Sequence, residues 1–126
     1  MTVLDEQFAK LQDLYRDAKI RPNGDGSHVI FIPDLPLPPG WNKTAANIYF
    51  VVPAGYPFAR PDCFWTDQDL RLAHGGVPTN TNQNAQLPGE SKPLLWFSYH
   101  PGAWNPNGDS VITYLNVIKK RLTDAR

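Results

Sequence analysis

The stretch Tyr56-Pro57-Phe58-Ala59-Arg60-Pro61 separates two runs of residues that are typical of β-strands. Proline fixes the φ angle and lacks a backbone N–H, so neither proline can lie inside a central strand. The residue before each proline is pushed out of the α region. We therefore expect a rigid, extended corner here, entered from a strand at residues 46–52 and left through a strand at residues 62–66.

Outward from this corner, the apolar residues predict an antiparallel sheet. The run 46–52 is almost continuously apolar, which indicates a central strand that is buried on both faces. β-Branched and aromatic residues predict a short strand at residues 27–32, and we place a further strand at residues 41–44. With residues 62–66, these segments predict a four-stranded antiparallel meander. The proline-rich segment 34–40 is either a stiff loop between strands or a polyproline ligand.

A helix is predicted near each end of the chain. Apolar residues recur at helical spacing in residues 2–19, and the turn residues 22–26 end that helix because proline cannot continue it. Thr2, with Asp5 three residues later, is a start signal for this helix. A second apolar stripe predicts a helix over residues 110–122, for which Asp109 or Ser110 is a suitable N-cap.

Two loops rich in polar and turn-forming residues lie between the last predicted strand and the second helix. Residues 67–72 are expected to hold at most one helical turn, and residues 75–92 show no periodic pattern at all. Loops of this length are usually functional or mobile. Residues 93–99 form an apolar segment that is expected to be ordered, and a second loop follows at residues 100–109.

The order of these segments resembles the ubiquitin-conjugating (UBC) fold. The order there is a strand, Tyr-Pro-x-x-x-Pro, a strand, a loop, a Trp-x-Pro and an amphipathic helix, and the Trp-x-Pro is here Trp104-Asn105-Pro106. The resemblance covers roughly the whole chain and is greatest to prokaryotic family E of that superfamily. It implies a single α+β, UBC-like domain over residues 1–126, with an N-terminal helix on the four-stranded meander and a C-terminal helix after it. The last two helices of the larger conjugating enzymes are missing, so this is a minimal version of the fold.

The resemblance also implies a function and partners. Family-E relatives are expected beside genes for a ubiquitin-like protein, a ThiF-type activating enzyme and a JAB-type protease. We therefore expect a UBC-like component of a bacterial ubiquitin-like protein conjugation system, with a role in antiviral defence by the same analogy. It would be an atypical conjugating factor, or a scaffold that binds the ubiquitin-like protein and its activating enzyme. The alternatives are a non-catalytic interaction module of the ubiquitin-binding variant type and a small Ser/His hydrolase.

Composition argues against several other classes. The 12 basic and 12 acidic residues give a formal net charge of zero, which does not favour a nucleic-acid partner. No apolar run approaches the length of a membrane span, and no signal peptide is recognisable. A single cysteine cannot form an intrachain disulfide and fits a reducing compartment, so we expect a cytoplasmic protein.

The catalytic features of the UBC family are only partly matched. The family carries the ubiquitin-like C-terminus as a thioester on a cysteine about eight residues before the Trp of Trp-x-Pro, and that position here is Trp96. An Asn in a His-Pro-Asn motif stabilises the oxyanion in the family, whereas His74-Gly75-Gly76 keeps only the histidine. The one thiol, Cys63, is expected to be buried and unreactive, on the helix-covered face of the sheet together with Trp65.

Ser98 and His100 are the candidates for a covalent step without a thiol. If their segment is extended, alternation places both side chains on one face, where His100 would act as the base for a Ser98 oxyester. The alternatives for His100 are a family-typical polar residue near a vestigial site, a proton shuttle, and a loop histidine that is hydrogen-bonded to the backbone. We expect no metal site, because the three histidines are far apart in sequence and no Cys or carboxylate cluster accompanies them. We expect no cofactor, because the sequence has no P-loop and no glycine-rich dinucleotide motif.

Four tryptophans are large anchors for so short a chain. We expect Trp65 and Trp104 in the core. Trp41 and Trp96 are expected near a surface, where aromatic residues often anchor interfaces, and Asn105 completes the expected binding residues. The alternative is that all four tryptophans pack inward.

Overall fold

The computed structural model describes residues 2–100 and 102–126, so Pro101 in the second predicted loop lies outside the described residues. The described part of the chain contains two helices, α1 (Val3–Leu14) and α2 (Val111–Leu122). It also contains six strands: β1 (Lys19–Pro22), β2 (His28–Pro36), β3 (Ala45–Val52), β4 (Phe64–Thr66), β5 (Thr81–Ala85) and β6 (Leu94–Phe97).

These strands form one antiparallel sheet in the order β1-β2-β3-β4-β6-β5. The first four strands make a four-stranded meander, and β6 and β5 extend it beyond β4. The predicted α+β, UBC-like class is therefore confirmed, with one helix before the meander and one after it. The strand predicted at residues 41–44 is wrong, because Trp41 makes only an isolated bridge with Leu72.

The first helix is shorter than predicted because the residues after it form a strand. α1 ends at Leu14, and β1 begins at Lys19, where the helix was expected to end. β1 pairs with β2 in a register that places Ile20 opposite Ile30. Four residues are too few to show a clear alternation, so this strand depends on the hydrogen bonds that β2 supplies.

The polar region after β4 contains a strand where none was predicted. β5 pairs with β6, with Thr81 opposite Phe97 and Asn82 opposite Trp96. Residues 67–72 form turns and an isolated bridge instead of a helical turn. The prediction that residues 75–92 lack structure is therefore wrong for β5.

Strand β2 continues into the proline-rich segment. It runs to Pro36, with a register shift between Ile32 and Leu35. Pro36 pairs with Ala45 at the start of β3. Residues 34–36 therefore belong to the sheet, and only the remainder of that segment is a loop.

Side-chain caps begin both helices. The Thr2 hydroxyl accepts a hydrogen bond from the Asp5 N–H at 3.0 Å, and the Asp5 carboxylate accepts one from the Thr2 N–H at 3.1 Å. Ser110 caps α2 by accepting from the N–H groups of Ile112 and Thr113. Such caps satisfy N–H groups that have no partner within the helix. Among the described residues, neither helix has the length and apolar character needed to cross a membrane.

Both helices pack on the same face of the sheet. The main core on that face includes the fully buried side chains of Leu11, Ile30, Ile48, Phe50, Tyr114 and Leu115. The opposite face carries a smaller cluster formed by Val29, Tyr49, Leu87 and Leu94. β3 is thus buried on both faces, as predicted. Trp65 packs against the smaller cluster, so its predicted place on the helix-covered face is wrong.

The Tyr-Pro corner is a compact turn and not the extended segment that was predicted. The N–H groups of Phe58 and Ala59 donate to the carbonyl of Gly55 at 3.0 and 3.1 Å. The Tyr56–Pro57 peptide bond is cis. The chain leaves this turn toward β4, which begins at Phe64, two residues later than predicted.

Candidate functional site

The Tyr-Pro corner is fastened to the loop that carries Trp104 and to both helices. The indole N–H of Trp104 donates to the carbonyl of Pro57 at 2.8 Å, and its ring lies 6.0 Å from that of Tyr56. The Tyr56 hydroxyl donates to the side-chain oxygen of Gln7 in α1, and the same oxygen accepts from the N–H of Val111 in α2. Burial raises the pKa of Tyr56 to about 12, so its hydroxyl remains a neutral donor.

Cys63 lies just before β4 in a backbone conformation that residues other than glycine rarely adopt. Its φ angle is 58°, in the left-handed region. Its N–H donates to the carbonyl of Tyr99 at 3.1 Å, and its own carbonyl accepts from the Tyr114 hydroxyl at 2.6 Å. Such a conformation costs about 1–3 kcal/mol, and it persists only where surrounding contacts hold it. Cys63 lies before β4, so the alternation that was assumed for residues 62–66 does not extend to it.

Asp62, Cys63 and His100 come together in what we call the Asp–Cys–His cluster. One carboxylate oxygen, the sulfur and one ring nitrogen all lie within 4.8 Å of one another. Nδ1 of His100 contacts the Asp62 carboxylate, and these two side chains are 54% and 48% exposed. Cys63 is only 8% exposed. The cluster therefore places a buried sulfur beside two polar groups that reach solvent.

The Cys63 thiol is poorly suited to act as a free nucleophile. Burial raises its pKa, the Asp62 carboxylate adds to this, and hydrogen bonds with the Tyr99 backbone and the Trp96 side chain offset it only in part. A thiol with a raised pKa is mostly protonated near neutral pH, and the protonated form is a weak nucleophile. The predicted burial of Cys63 is confirmed, whereas its position beside an imidazole was not anticipated.

Ser98 does not form the expected pair with His100. The backbone N–H of Ser98 donates to the carbonyl of Asn80 at 2.9 Å. In the part of the chain that the structure describes, no hydrogen bond joins the Ser98 hydroxyl to His100, whose imidazole is paired with Asp62. An ester-forming role for Ser98 therefore stays a prediction without a supporting contact. Asp62 carries no local signal that could have identified it, because its partner lies 38 residues away.

His74 and Asn105 make contacts within their own loops. His74 is exposed, and its Nδ1 accepts from the N–H of Gly76 at 3.2 Å. The backbone N–H of Asn105 donates to the Asp109 carboxylate at 2.8 Å, and its side-chain oxygen accepts from the N–H of Asn107 at 3.0 Å. A catalytic role for His74 and a binding role for Asn105 stay predictions.

The burial of the tryptophans differs from the prediction. Trp41 is only 6% exposed, and its indole N–H donates to the carbonyl of Leu122 at 2.9 Å. The prediction that Trp41 lies near a surface is therefore wrong, since it packs in the main core. Trp96 is half-buried on β6 opposite Trp65. Trp104 is partly buried against the main core.

A family model described as prokaryotic E2 family E matches residues 3–125 of the chain. Comparisons with the curated proteins and with the solved structures gave no significant match. The matched range includes both helices and all six strands of the described residues, with the Tyr-Pro corner and Trp104-Asn105-Pro106. Because the match covers nearly the whole chain and the UBC-like order of elements is present, this protein belongs to prokaryotic E2 family E.

Proposed function

We propose that this protein is a component of a bacterial ubiquitin-like protein conjugation system that binds the ubiquitin-like protein and its ThiF-type activating enzyme without a covalent step. The family match over residues 3–125 carries this proposal, because a UBC-like component works with the other proteins of such a system. Family membership indicates the class of partner, whereas the chemistry has to be argued from the site.

Three features of the site favour a scaffold over an atypical conjugating factor. Trp96 occupies the position where the family's thioester cysteine is expected. The only thiol, that of Cys63, is buried and has a raised pKa. Ser98 makes no hydrogen bond to His100, the base it would need, among the residues described. Acyl transfer requires a nucleophile that is both accessible and activated, and neither candidate meets both conditions.

Phe58 offers an apolar contact for a partner at the Tyr-Pro corner. Its side chain is 81% exposed, and with Val3 of α1 and Pro106 it lines a cleft of about 510 Å³. Exposed aromatic side chains beside a cleft are typical anchors of protein–protein interfaces. A side chain that projects this far fits a pocket on a partner surface. Within this proposal we take the activating enzyme as the partner that supplies this pocket.

A reconstitution with the two partners tests the proposal. The protein is incubated with the ubiquitin-like protein, the ThiF-type enzyme and ATP, and covalent adducts are sought by denaturing electrophoresis and mass spectrometry. Binding of each partner is measured separately by calorimetry. We expect binding without an adduct. An adduct that survives reductant, is lost in hydroxylamine and is absent from Ser98→Ala would instead establish a conjugating factor. If the protein binds neither the ubiquitin-like protein nor the ThiF-type enzyme, the proposal is overturned.

The Phe58 contact has a matched control on α1. Leu14 is also exposed, at 64%, but it lies at the far end of α1 and does not line the cleft. We expect Phe58→Ala to weaken binding of the activating enzyme by about tenfold or more, as for an interface anchor. Leu14→Ala should leave it unchanged. If the two variants bind the activating enzyme with equal affinity, Phe58 is not part of the interface.

The cellular part of the proposal is that the protein acts in the cytoplasm in antiviral defence. A single cysteine fits a reducing compartment. Deletion of the gene should lower resistance to bacteriophage, and the wild-type gene should restore it better than Phe58→Ala does. Unchanged phage sensitivity across a broad phage panel would contradict the defence role without affecting the binding experiments.

A further inference from the structure

We infer that Asp62, Cys63 and His100 form a binding site for a zinc ion. The three residues supply a carboxylate, a thiolate and an imidazole, and Zn²⁺ is the ion that commonly takes all three ligand types. Two segments far apart in the chain contribute, because Asp62 and Cys63 precede β4 whereas His100 follows β6. The inference does not rest on the proposed partners.

The geometry of the cluster is close to that of a tetrahedral site. Zinc–ligand bonds of about 2.0–2.3 Å place ligand atoms about 3.3–3.7 Å apart. The candidate atoms of the cluster already lie within 4.8 Å of one another. The remaining adjustment is small, and the half-exposed side chains of Asp62 and His100 can make it by rotating. Cys63 need not move, because hydrogen bonds on both of its backbone groups fix its position.

Metal binding requires Cys63 in its thiolate form. The ion takes the thiolate, so one proton leaves the thiol for solvent, and the positive charge of the ion compensates the buried negative charge. Two bonds to the ion replace the direct contact between Asp62 and His100.

Three protein ligands leave a fourth position for water or for a group from another molecule. That position faces solvent, because Asp62 and His100 are both about half exposed, at 48% and 54%. The ion would tie the start of β4 to the loop after β6. It would also hold the thiol in a state that is not free to form a thioester.

Cobalt is the optical probe that tests the site. The full chain is reduced, stripped with a chelator and titrated with Co²⁺. We expect one equivalent to bind, with a near-ultraviolet sulfur-to-cobalt charge-transfer band and the strong visible bands of tetrahedral cobalt, and Zn²⁺ should displace it. Cys63→Ser should lose the charge-transfer band, and His100→Ala should weaken binding by at least about tenfold. His74→Ala is the matched control, because His74 is exposed and lies outside the cluster.

Alkylation of the thiol gives a second readout that needs no substitution at Cys63. Cys63 is the only cysteine of the chain, so a maleimide reports on it alone. We expect Zn²⁺ to slow alkylation of the folded protein by at least about tenfold, and not to do so in His100→Ala. The inference is overturned if the folded protein binds neither Co²⁺ nor Zn²⁺, if His100→Ala binds as tightly as the wild type, or if Zn²⁺ leaves the alkylation rate unchanged. None of these results depends on whether the protein partners bind.

Discussion

The hydroxyl of Tyr114 in α2 donates a hydrogen bond of 2.6 Å to the carbonyl oxygen of Cys63. Tyr114 is 1% exposed, and burial raises its pKa, so the hydroxyl remains a donor. Its ring packs against Phe50 of β3, with the ring centres 5.2 Å apart. The bond therefore connects the second helix to the left-handed residue that supplies the sulfur of the Asp–Cys–His cluster.

Removal of this hydroxyl should destabilise the protein. Tyr114→Phe keeps the ring but leaves the Cys63 carbonyl without its donor, so we expect the free energy of unfolding to fall by about 1–3 kcal/mol. Urea denaturation followed by tryptophan fluorescence measures this. Tyr15→Phe is the control, because among the described residues the Tyr15 hydroxyl makes one hydrogen bond, an exposed contact with Lys119 at 3.3 Å. A loss for Tyr15→Phe as large as that for Tyr114→Phe would contradict the assignment.

The bond between Trp104 and Pro57 is expected to stabilise the corner. Trp104→Phe removes the indole donor, which lies 2.8 Å from the Pro57 carbonyl, and keeps an aromatic ring beside Tyr56. We expect the free energy of unfolding to fall by about 0.5–1.5 kcal/mol, the usual net value of one such bond. Hydrogen exchange should also speed up at the N–H groups of Phe58 and Ala59, which close the turn. Unchanged exchange there would show that the corner does not depend on Trp104.

Gly40 is required by both its backbone angle and its surroundings. Its φ is 111°, and an added Cβ would lie 2.6 Å from the Cβ of Ala125, whereas Gly24 has a φ of 87° and open space around it. Gly24→Ala should cost about 1–2 kcal/mol of backbone strain. Gly40→Ala should cost a further 1–3 kcal/mol or so from the clash. Adding Ala125→Gly to Gly40→Ala should remove the clash and recover its cost. Thermal unfolding of the wild type, the two single variants and this double variant measures whether it does.

The capping box at the start of α1 should make stability depend on pH in the acid range. Hydrogen bonds from the backbone and side chain of Thr2 lower the pKa of Asp5 below its ordinary value of 3.8. Because the folded-state pKa is the lower one, the stabilisation is present above 3.8 and is lost as the pH falls through the folded-state value. Asp5→Asn should therefore be less stable than the wild type near neutral pH, and the gap should close in strong acid. If urea denaturation shows the same difference in unfolding free energy between the wild type and Asp5→Asn at neutral and acid pH, the Asp5 carboxylate does not stabilise the helix in this way.

Several features could be predicted from the sequence because their signals are local. Thr2 and Asp5 are three residues apart and bond each other's backbone, so the start of α1 is visible in the chain itself. The same holds for Ser110 at the start of α2. β3 is recognisable because its side chains are apolar on both faces. The UBC-like class followed from the order of these segments and the Tyr-Pro and Trp-x-Pro motifs.

Tertiary structure alone decided β1, β5 and the Asp–Cys–His cluster. β5 is a polar segment, and it becomes a strand only because β6 supplies its hydrogen-bonding partners. Cys63 departs from strand alternation because its N–H donates to Tyr99 and its carbonyl accepts from Tyr114, both distant in sequence, and these bonds hold its φ at 58°. His100 and Asp62 are 38 residues apart in sequence, and the fold brings the loop after β6 to the segment before β4. A residue pattern reports the preferences of neighbouring residues, whereas these positions are fixed by hydrogen bonds between segments that are distant in sequence and meet only in the folded protein.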